Sequence, residues 1–189
     1  MNEIITNKDD LKKFLEIESK KYNRKNIKIP IVCIGESDFL WKHNVLLRKT
    51  EYHINKKHRM RGFIYKILLK RFQNKYNLHI PINSFGVGLK IMHLGPILVN
   101  GKVKCGRNIA LHINTSIVAG GVDNGVPKLG DGVVVGVGAV ILGSVTIANN
   151  IAIGANAVVN KSFNEENIAI AGVPAKKISN NGRLEWNKK

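Results

Sequence analysis

The chain has 189 residues, with 30 lysines and arginines against 13 aspartates and glutamates, and its formal net charge is +17. This length fits one modest domain with a real core, and no apolar stretch nears the roughly 18 residues of a membrane-spanning helix. The opening Met1–Asp10 lacks the basic start and apolar run of a signal peptide, so we expect a cytoplasmic protein. Cys33 and Cys105 are too few for a disulfide framework or a metal cluster, and we expect both to be buried.

Residues 1–79 read as a mostly helical N-terminal region. Thr6 or Asn7 can cap a first helix that runs through Ser19, with its apolar residues on one face. After Pro30, an apolar run to Ile34 predicts a short strand or a buried extended segment. Helical spacing predicts further helices over about 37–54 and 62–76. We expect the histidines of this region to lie on the surface: His43, His53, His58 and His79.

This N-terminal region is also strongly basic, because Glu51 is the only acidic residue between Trp41 and Lys75. One interpretation is a solvated basic face. The other is peripheral docking to an anionic membrane surface. The charge does not indicate a nucleic-acid partner, because the sequence has no binding motif and no platform of interleaved aromatic and basic residues.

Residues 80–179 form the second predicted region, and from Phe85 to Val159 an apolar residue returns at nearly every sixth position, with one interruption before Leu129. Fixed short periods of this kind indicate a repeat architecture. Six residues make one short strand and one corner, so three repeats close a triangular coil, and stacked coils lie about 4.8 Å apart. The sequence therefore predicts a mainly β protein, a parallel β-helix, whose inward side chains are Phe85, Ile91, Ile97, Val103, Ile109, Leu129, Val135, Ile141, Ile147, Ile153 and Val159.

The repeat units Leu129–Val134 and Ile153–Val158, together with the closing Ala171–Lys176, resemble the hexapeptide-repeat acyltransferases. Within that family the chain is most similar to the serine acetyltransferase-like branch, close to the enzymes that O-acetylate capsule and exopolysaccharide sugars. The resemblance implies a left-handed β-helix, a homotrimer with active sites between subunits, acetyl-CoA as donor and no required metal. Residues 180–189 then form a C-terminal tail.

His93 stands where the resemblance places the catalytic histidine. A neutral imidazole there takes the proton of an acceptor hydroxyl that attacks the thioester. The alternative is a corner histidine bonded to backbone groups. The serine enzymes pair this histidine with an aspartate, and Leu78 occupies the corresponding position here. The sequence leaves the orienting acceptor open between a backbone carbonyl and the side chains of Asn83, Asp123, Glu36, Asp38 and Glu51.

The edge beside His93 offers further candidates. His112 follows one coil plus one residue later, so we expect it near His93, either as a contact to a substrate or as a packing residue. Asn114 and Asp123 are expected at the same acceptor edge. The repeat is interrupted near 118–128 by a glycine-rich loop, which the resemblance implies overhangs the active site, although a neutral insertion is the alternative.

Small residues along the last coils leave backbone groups approachable for the pantetheine arm, although tight corners also need small residues. Positive side chains nearby are expected to meet the phosphates of CoA. The predicted donor site comprises Gly138, Ala139, Ala155, Asn160, Lys161 and Lys176.

The acceptor is predicted from charge. A free amino acid needs a countercharge for both its ammonium and its carboxylate, and the repeats near His93 offer few. We therefore expect a saccharide hydroxyl of a surface-polysaccharide precursor, either free or lipid-linked, with L-serine as the alternative acceptor. A structural β-helix without activity would carry rows of outward-facing threonines on successive coils. A metal-dependent hydratase would need more histidines than His93 and His112.

Overall fold

A computed structural model of the protein describes residues 3–121 and 124–183. Three helices come first: α1 Lys8–Lys21, α2 Glu36–Asn55 and α3 Arg59–Tyr76. The Asn7 side chain caps α1 by accepting the backbone N–H groups of Asp9 and Asp10. Short strands follow: β1 Leu78–His79, β2 Lys90–Ile91, β3 Ile97–Val99, β4 Lys104–Cys105, β5 Ala110–Leu111, β6 Thr115–Val118, β7 Lys128–Leu129, β8 Val134–Val135, β9 Val140–Leu142, β10 Thr146–Ile147, β11 Ala152–Ile153, β12 Val158–Val159, β13 Ala169–Ala171 and β14 Lys176–Ser179.

The strands form three sheets that wind around one core. Sheet A has the order β1-β3-β6-β9-β12, sheet B β10-β7-β4, and sheet C β14-β13-β11-β8-β5-β2. Every described pair is parallel except β13 with β14. All the side chains predicted to point inward are at most 5% exposed. The predicted fold class, a parallel β-helix after a small helical region, is confirmed.

The corner between β2 and β3 is longer than the corner stacked on it. Ile91 pairs with Leu111 and Ile97 pairs with Thr115. The chain therefore takes six residues to pass from one paired position to the next in this coil, and only four in the coil stacked on it. The two additional residues must bulge outward, because both flanking strands keep their register. His93 lies in this bulge and is exposed, whereas its neighbour Ile91 is fully buried.

A buried arginine joins the helices to the first coil. The fully buried Arg48 side chain of α2 donates hydrogen bonds to Glu18 of α1 at 2.7 Å and to Glu51 at 2.9 Å. The same guanidinium donates to the backbone oxygens of Phe85 at 3.0 Å and Gly86 at 2.8 Å. A buried charge is tolerated only when its hydrogen-bonding groups are satisfied, as they are here. This network holds α1 and α2 against the β-helix.

The prediction of a strand or buried segment before α2 was wrong. No strand forms there, and Ile31, Val32 and Ile34 are 92%, 72% and 89% exposed. The backbone N–H groups of Ile34 and Gly35 donate to the Asp38 carboxylate in the first turn of α2. The segment is therefore the lead-in to a helix, and its N–H groups are not available to a neighbouring strand.

The prediction of surface histidines was wrong for two of the four. His43 is fully buried and His53 is 9% exposed, because α3 packs across the middle of α2. Burial lowers the pKa of His43 to about 4. His58 is half-buried and lies 3.0 Å from His53 between their Nδ1 atoms, whereas His79 is exposed as expected.

The two cysteines differ in burial. Cys105 is buried, as expected, but Cys33 is only half-buried, and both are free thiols. None of the helices in the described part of the chain is long and apolar enough to cross a bilayer.

Candidate active site

His93 contacts a carboxylate from the helical region. The Nδ1 atom of His93 lies 3.2 Å from Oε2 of Glu36, the first residue of α2, and Glu36 Oε1 accepts the backbone N–H of Leu94 at 2.7 Å. Among the acceptors that the sequence left open, the structure therefore places Glu36 beside His93. An ionised carboxylate can only accept, so Nδ1 carries the proton and Nε2 keeps a free lone pair. This arrangement fits a general base.

His112 lies next to His93, as its position one coil later indicates. It follows β5 in register with Met92, and the two imidazole rings have centroids 6.3 Å apart. Burial, followed by the nearby His93, lowers the pKa of His112. His112 is therefore a neutral, half-buried group at the side of the more exposed His93.

Asn114 occupies the same corner two residues beyond His112. Its backbone is left-handed, with φ of 59°, and the side chain is exposed at a groove shared with His79 and Ser116. Asp123, which was also predicted at this edge, lies outside the described residues.

The glycine-rich interruption lies between β6 and β7. The backbone N–H of Gly120 donates to the oxygen of Gly125 at 3.1 Å, which closes the described part of the loop on itself. Gly120 and Gly121 line a groove with two residues of the predicted donor site, Asn160 and Lys161.

The remaining predicted donor residues do not share that groove. Ala139 is fully buried and packs in the core of the coil, and its place in the predicted donor site stays a prediction. Gly138 is half-buried with a φ of 70°, and Lys176 is exposed on β14. Ala155 lines a second groove of about 470 Å³ that begins at His112.

This second groove follows the outer face of sheet C. Its floor carries small residues, among them Gly136, Ala152 and Gly154, and Ile178 lies at its far side. A floor without bulky side chains lets an extended ligand approach the backbone closely. The groove is apolar in most of its lining, with His112 at one end, so it could hold a chain that reaches towards the two imidazoles.

A cluster of cations that the sequence did not reveal lies beside His112. A cavity of about 430 Å³ is lined by Met92, His112, Lys21, Lys90 and Arg183. Within residues 3–121 and 124–183, none of these three cations forms an ion pair with a carboxylate. Burial, followed by the charge of Arg183, lowers the pKa of Lys21 to about 8. Such a cavity favours an anionic group.

Sequence reasoning missed this cavity because its cations come from three distant parts of the chain. Lys21 ends α1, Lys90 begins β2 and Arg183 follows β14. The Lys21 ammonium donates to Oδ1 of Asn108 at 2.9 Å, which fixes it over the edge of sheet C. No group of three histidine, cysteine, aspartate or glutamate side chains in the described part of the chain is arranged to hold a metal ion.

No protein-family model matches the chain. Curated relatives do: the serine acetyltransferase of Staphylococcus xylosus is 28% identical over 146 residues, which are 76% of this chain and 64% of that protein. The serine acetyltransferase of Helicobacter pylori is 32% identical over 113 residues, which are 59% of this chain and 65% of that protein. The chain thus spans less than two thirds of the length of these relatives.

Solved structures give the same answer for the fold. The serine acetyltransferase of Brucella abortus in complex with coenzyme A matches 93% of this chain and 68% of its own, with a TM-score of 0.67 and 21% identity. The serine acetyltransferase of Neisseria gonorrhoeae in complex with serine matches 91% and 70%, with a TM-score of 0.66 and 24% identity. The fold is that of the serine acetyltransferases. It is a left-handed parallel β-helix preceded by helices, and the predicted hand is confirmed.

The comparisons also correct the predicted branch and acceptor. The relatives and structural neighbours named above are serine acetyltransferases, and none of these supports a surface-polysaccharide acetyltransferase. The prediction of a saccharide acceptor was wrong. It counted only the charges of the repeats, whereas the helical region contributes Glu36 and Lys21 to the neighbourhood of His93.

Proposed function

We propose that the protein is a serine O-acetyltransferase that transfers the acetyl group of acetyl-CoA to the hydroxyl of L-serine. The observation that carries the proposal is the contact between His93 and Glu36 beside a cavity lined by Lys21, Lys90 and Arg183. Similarity to enzymes named serine acetyltransferase supports the acceptor, and similarity to a structure that holds coenzyme A supports the donor.

His93 acts as the general base in this proposal. Its Nε2 accepts the proton of the serine hydroxyl while the oxygen attacks the thioester carbonyl carbon. The carbon–sulfur bond then breaks, and the sulfur of CoA takes the proton back from Nε2. Glu36 holds the reactive tautomer and stabilises the imidazolium that forms between the two proton transfers. No covalent enzyme intermediate is needed.

Charges on both sides of the histidines fit a zwitterionic acceptor. Lys90 and Lys21 line the cavity next to His112 and provide positive charge for a carboxylate. Glu36 is the carboxylate that contacts His93, on the side of the helical region. The donor then lies in the apolar groove along sheet C, with its thioester at the histidines. His112, at the head of that groove, borders both substrates in this arrangement.

The proposal includes the homotrimer implied by the sequence resemblance, in which each active site lies between two subunits. Analytical ultracentrifugation of the purified chain tests this part separately, with a single species of three times the chain mass as the expected result.

The activity is tested by thiol release from acetyl-CoA with L-serine as acceptor. We expect serine-dependent release that falls about 10²- to 10⁴-fold in His93→Ala, the range expected for a lost general base. Glu16→Gln is the control, because Glu16 is an exposed residue of α1 whose carboxylate pairs with Lys12. Product identity is checked by mass spectrometry of O-acetylserine.

Two results would overturn the proposal. Serine-independent release, or release with other hydroxyl compounds but not with serine, would remove serine as the acceptor. Full turnover in His93→Ala would remove His93 as the base. Lys90→Ala further separates the substrates: we expect a higher KM for serine with the KM for acetyl-CoA little changed, and the opposite pattern would assign the cation cavity to the phosphates of CoA.

A further inference from the structure

Helix α3 carries an apolar stripe on the side that faces away from the protein. Its buried residues are Gly62, Leu69 and Gln73, which face α2 and the start of the β-helix. Large apolar side chains on the other side are exposed, and Met60 and Phe63 expose 77% and 65% of their surface. The whole stripe consists of Met60, Phe63, Ile64, Ile67 and Leu68.

The stripe is continuous and points outward. Residues spaced by three or four positions share one helix face, and Met60, Ile64 and Ile67 follow this spacing. At 3.6 residues per turn, the buried Leu69 lies about 180° around the helix from Met60. The packed face and the exposed apolar face are therefore opposite, and the helix cannot bury both against its own chain.

Cations border the stripe on both sides. Helix α3 has no aspartate or glutamate. Its six lysines and arginines are all exposed: Arg59, Arg61, Lys66, Lys70, Arg71 and Lys75. On a helical wheel Arg61 falls on one flank of the stripe and Lys66 and Lys70 on the other, while Arg71 continues the stripe itself. An apolar face with cationic flanks is the pattern of a helix that lies in the plane of an anionic bilayer surface.

We propose that α3 docks the protein on an anionic lipid surface, with its apolar stripe among the acyl chains near the headgroups and its flanking cations on lipid phosphates. The helix lies parallel to the surface and does not cross it. Each lysine or arginine held near anionic headgroups adds attraction that falls off within about 10 Å at 0.1 M salt. This inference is independent of the acetyl transfer proposed above.

Charge disfavours the other occupants of this face. In a twofold contact between two copies of the chain, the cations of both α3 helices would come together without an acidic residue of either helix to compensate them. Nucleic acid would satisfy the cations but would leave the large aliphatic side chains without a suitable partner. An anionic bilayer satisfies both the apolar stripe and its cationic flanks.

The test is sedimentation of the full chain with vesicles of phosphatidylcholine alone and of phosphatidylcholine with 30% phosphatidylglycerol. We expect binding only to the anionic vesicles, weakened by added sodium chloride. Phe63→Glu with Ile67→Glu should lower the partition coefficient at least about tenfold. Because both side chains are exposed, the thermal midpoint should remain close to that of the native chain.

The matched control is Ile4→Glu with Leu98→Glu. It changes the net charge by the same −2 at two apolar positions that are 49% exposed and lie outside α3, and it should bind anionic vesicles almost as well as the native chain. Equal sedimentation with both vesicle types, or undiminished binding of the α3 variant, would overturn the proposal. Sedimentation velocity without lipid gives a third test. If the native chain and the control variant form an oligomer and the α3 variant does not, the stripe is a contact between copies and the proposal is overturned.

Discussion

Glu36→Gln separates the charge of the carboxylate from its shape. Glutamine is nearly the same size as glutamate and can still accept the backbone N–H of Leu94, so the corner keeps its conformation. The charge beside His93 is lost. The glutamine amide nitrogen can also donate to Nδ1, which would leave the proton on Nε2, and that tautomer cannot act as the base.

The expected size of the effect follows from the 3.2 Å contact. A full imidazolium charge at 3.2 Å from a carboxylate is stabilised by about 1.3 kcal/mol in bulk water and by about 5 kcal/mol at an effective dielectric constant near 20. The two side chains are 56% and 45% exposed, so the lower figure applies. This free energy corresponds to about tenfold in rate, and the wrong tautomer adds to it. We expect kcat to fall about 10- to 100-fold.

The assay is steady-state thiol release at saturating acetyl-CoA and serine, with Glu16→Gln as the control. Glu16 is an exposed glutamate of α1 that pairs with Lys12 across one helical turn and lies on another element than His93. We expect a lower kcat, because Glu36 acts through His93, and a higher KM for serine, because Glu36 is also the negative charge near the serine ammonium; the KM for acetyl-CoA should stay within about threefold. A kcat within twofold of the native value would refute the positioning role. A change confined to the KM for serine would instead make Glu36 a ligand of the acceptor.

Three further results are expected. The KM for serine, measured from pH 7 to 9, should rise as pH increases through about 8, where Lys21 loses its proton. Lys21→Arg should remove that rise, because a guanidinium stays charged over this range. His43 has a pKa of about 4 in the folded state, below its unfolded value of about 6.5. Between these pH values the unfolded state binds more protons, so the free energy of unfolding should fall by about 3 kcal/mol on acidification from pH 6.5 to 4. Urea titrations should show a flatter pH dependence for His43→Gln and the native one for His79→Gln. Arg48→Met leaves two buried carboxylates without their cation and should cost about 3–5 kcal/mol in the same titration, whereas exposed Arg71→Met should cost little.

The β-helix could be predicted from the sequence because its rule is local. An inward residue such as Ile141 packs against residues one coil before and after it, so each repeat contains the information for its own placement. The two additional residues of the corner at His93 were not visible in the period. They appear only when Ile91 and Ile97 are paired with their partners in the next coil.

The helical region was harder to predict because its burial depends on contacts between helices. Spacing located α3 to within three residues at its start, but it did not say which face packs on α2. The apolar side chains of α3 are largely exposed, while His43, a residue expected on the surface, is buried beneath that helix. Spacing defines a face of a helix, and only the tertiary contacts determine its neighbour.

The acceptor was misjudged for the same physical reason. Lys21 and Glu36 both come from the helical region, and Glu36 is separated from His93 by 57 residues. A charge count restricted to the repeats could not include them. The buried Arg48 network explains why they are present: it fixes α1 and α2 on the first coil, so one end of each helix reaches the edge that carries the two imidazoles. The helical region therefore completes the candidate site, and removal of Arg48 should weaken acetyl transfer as well as stability.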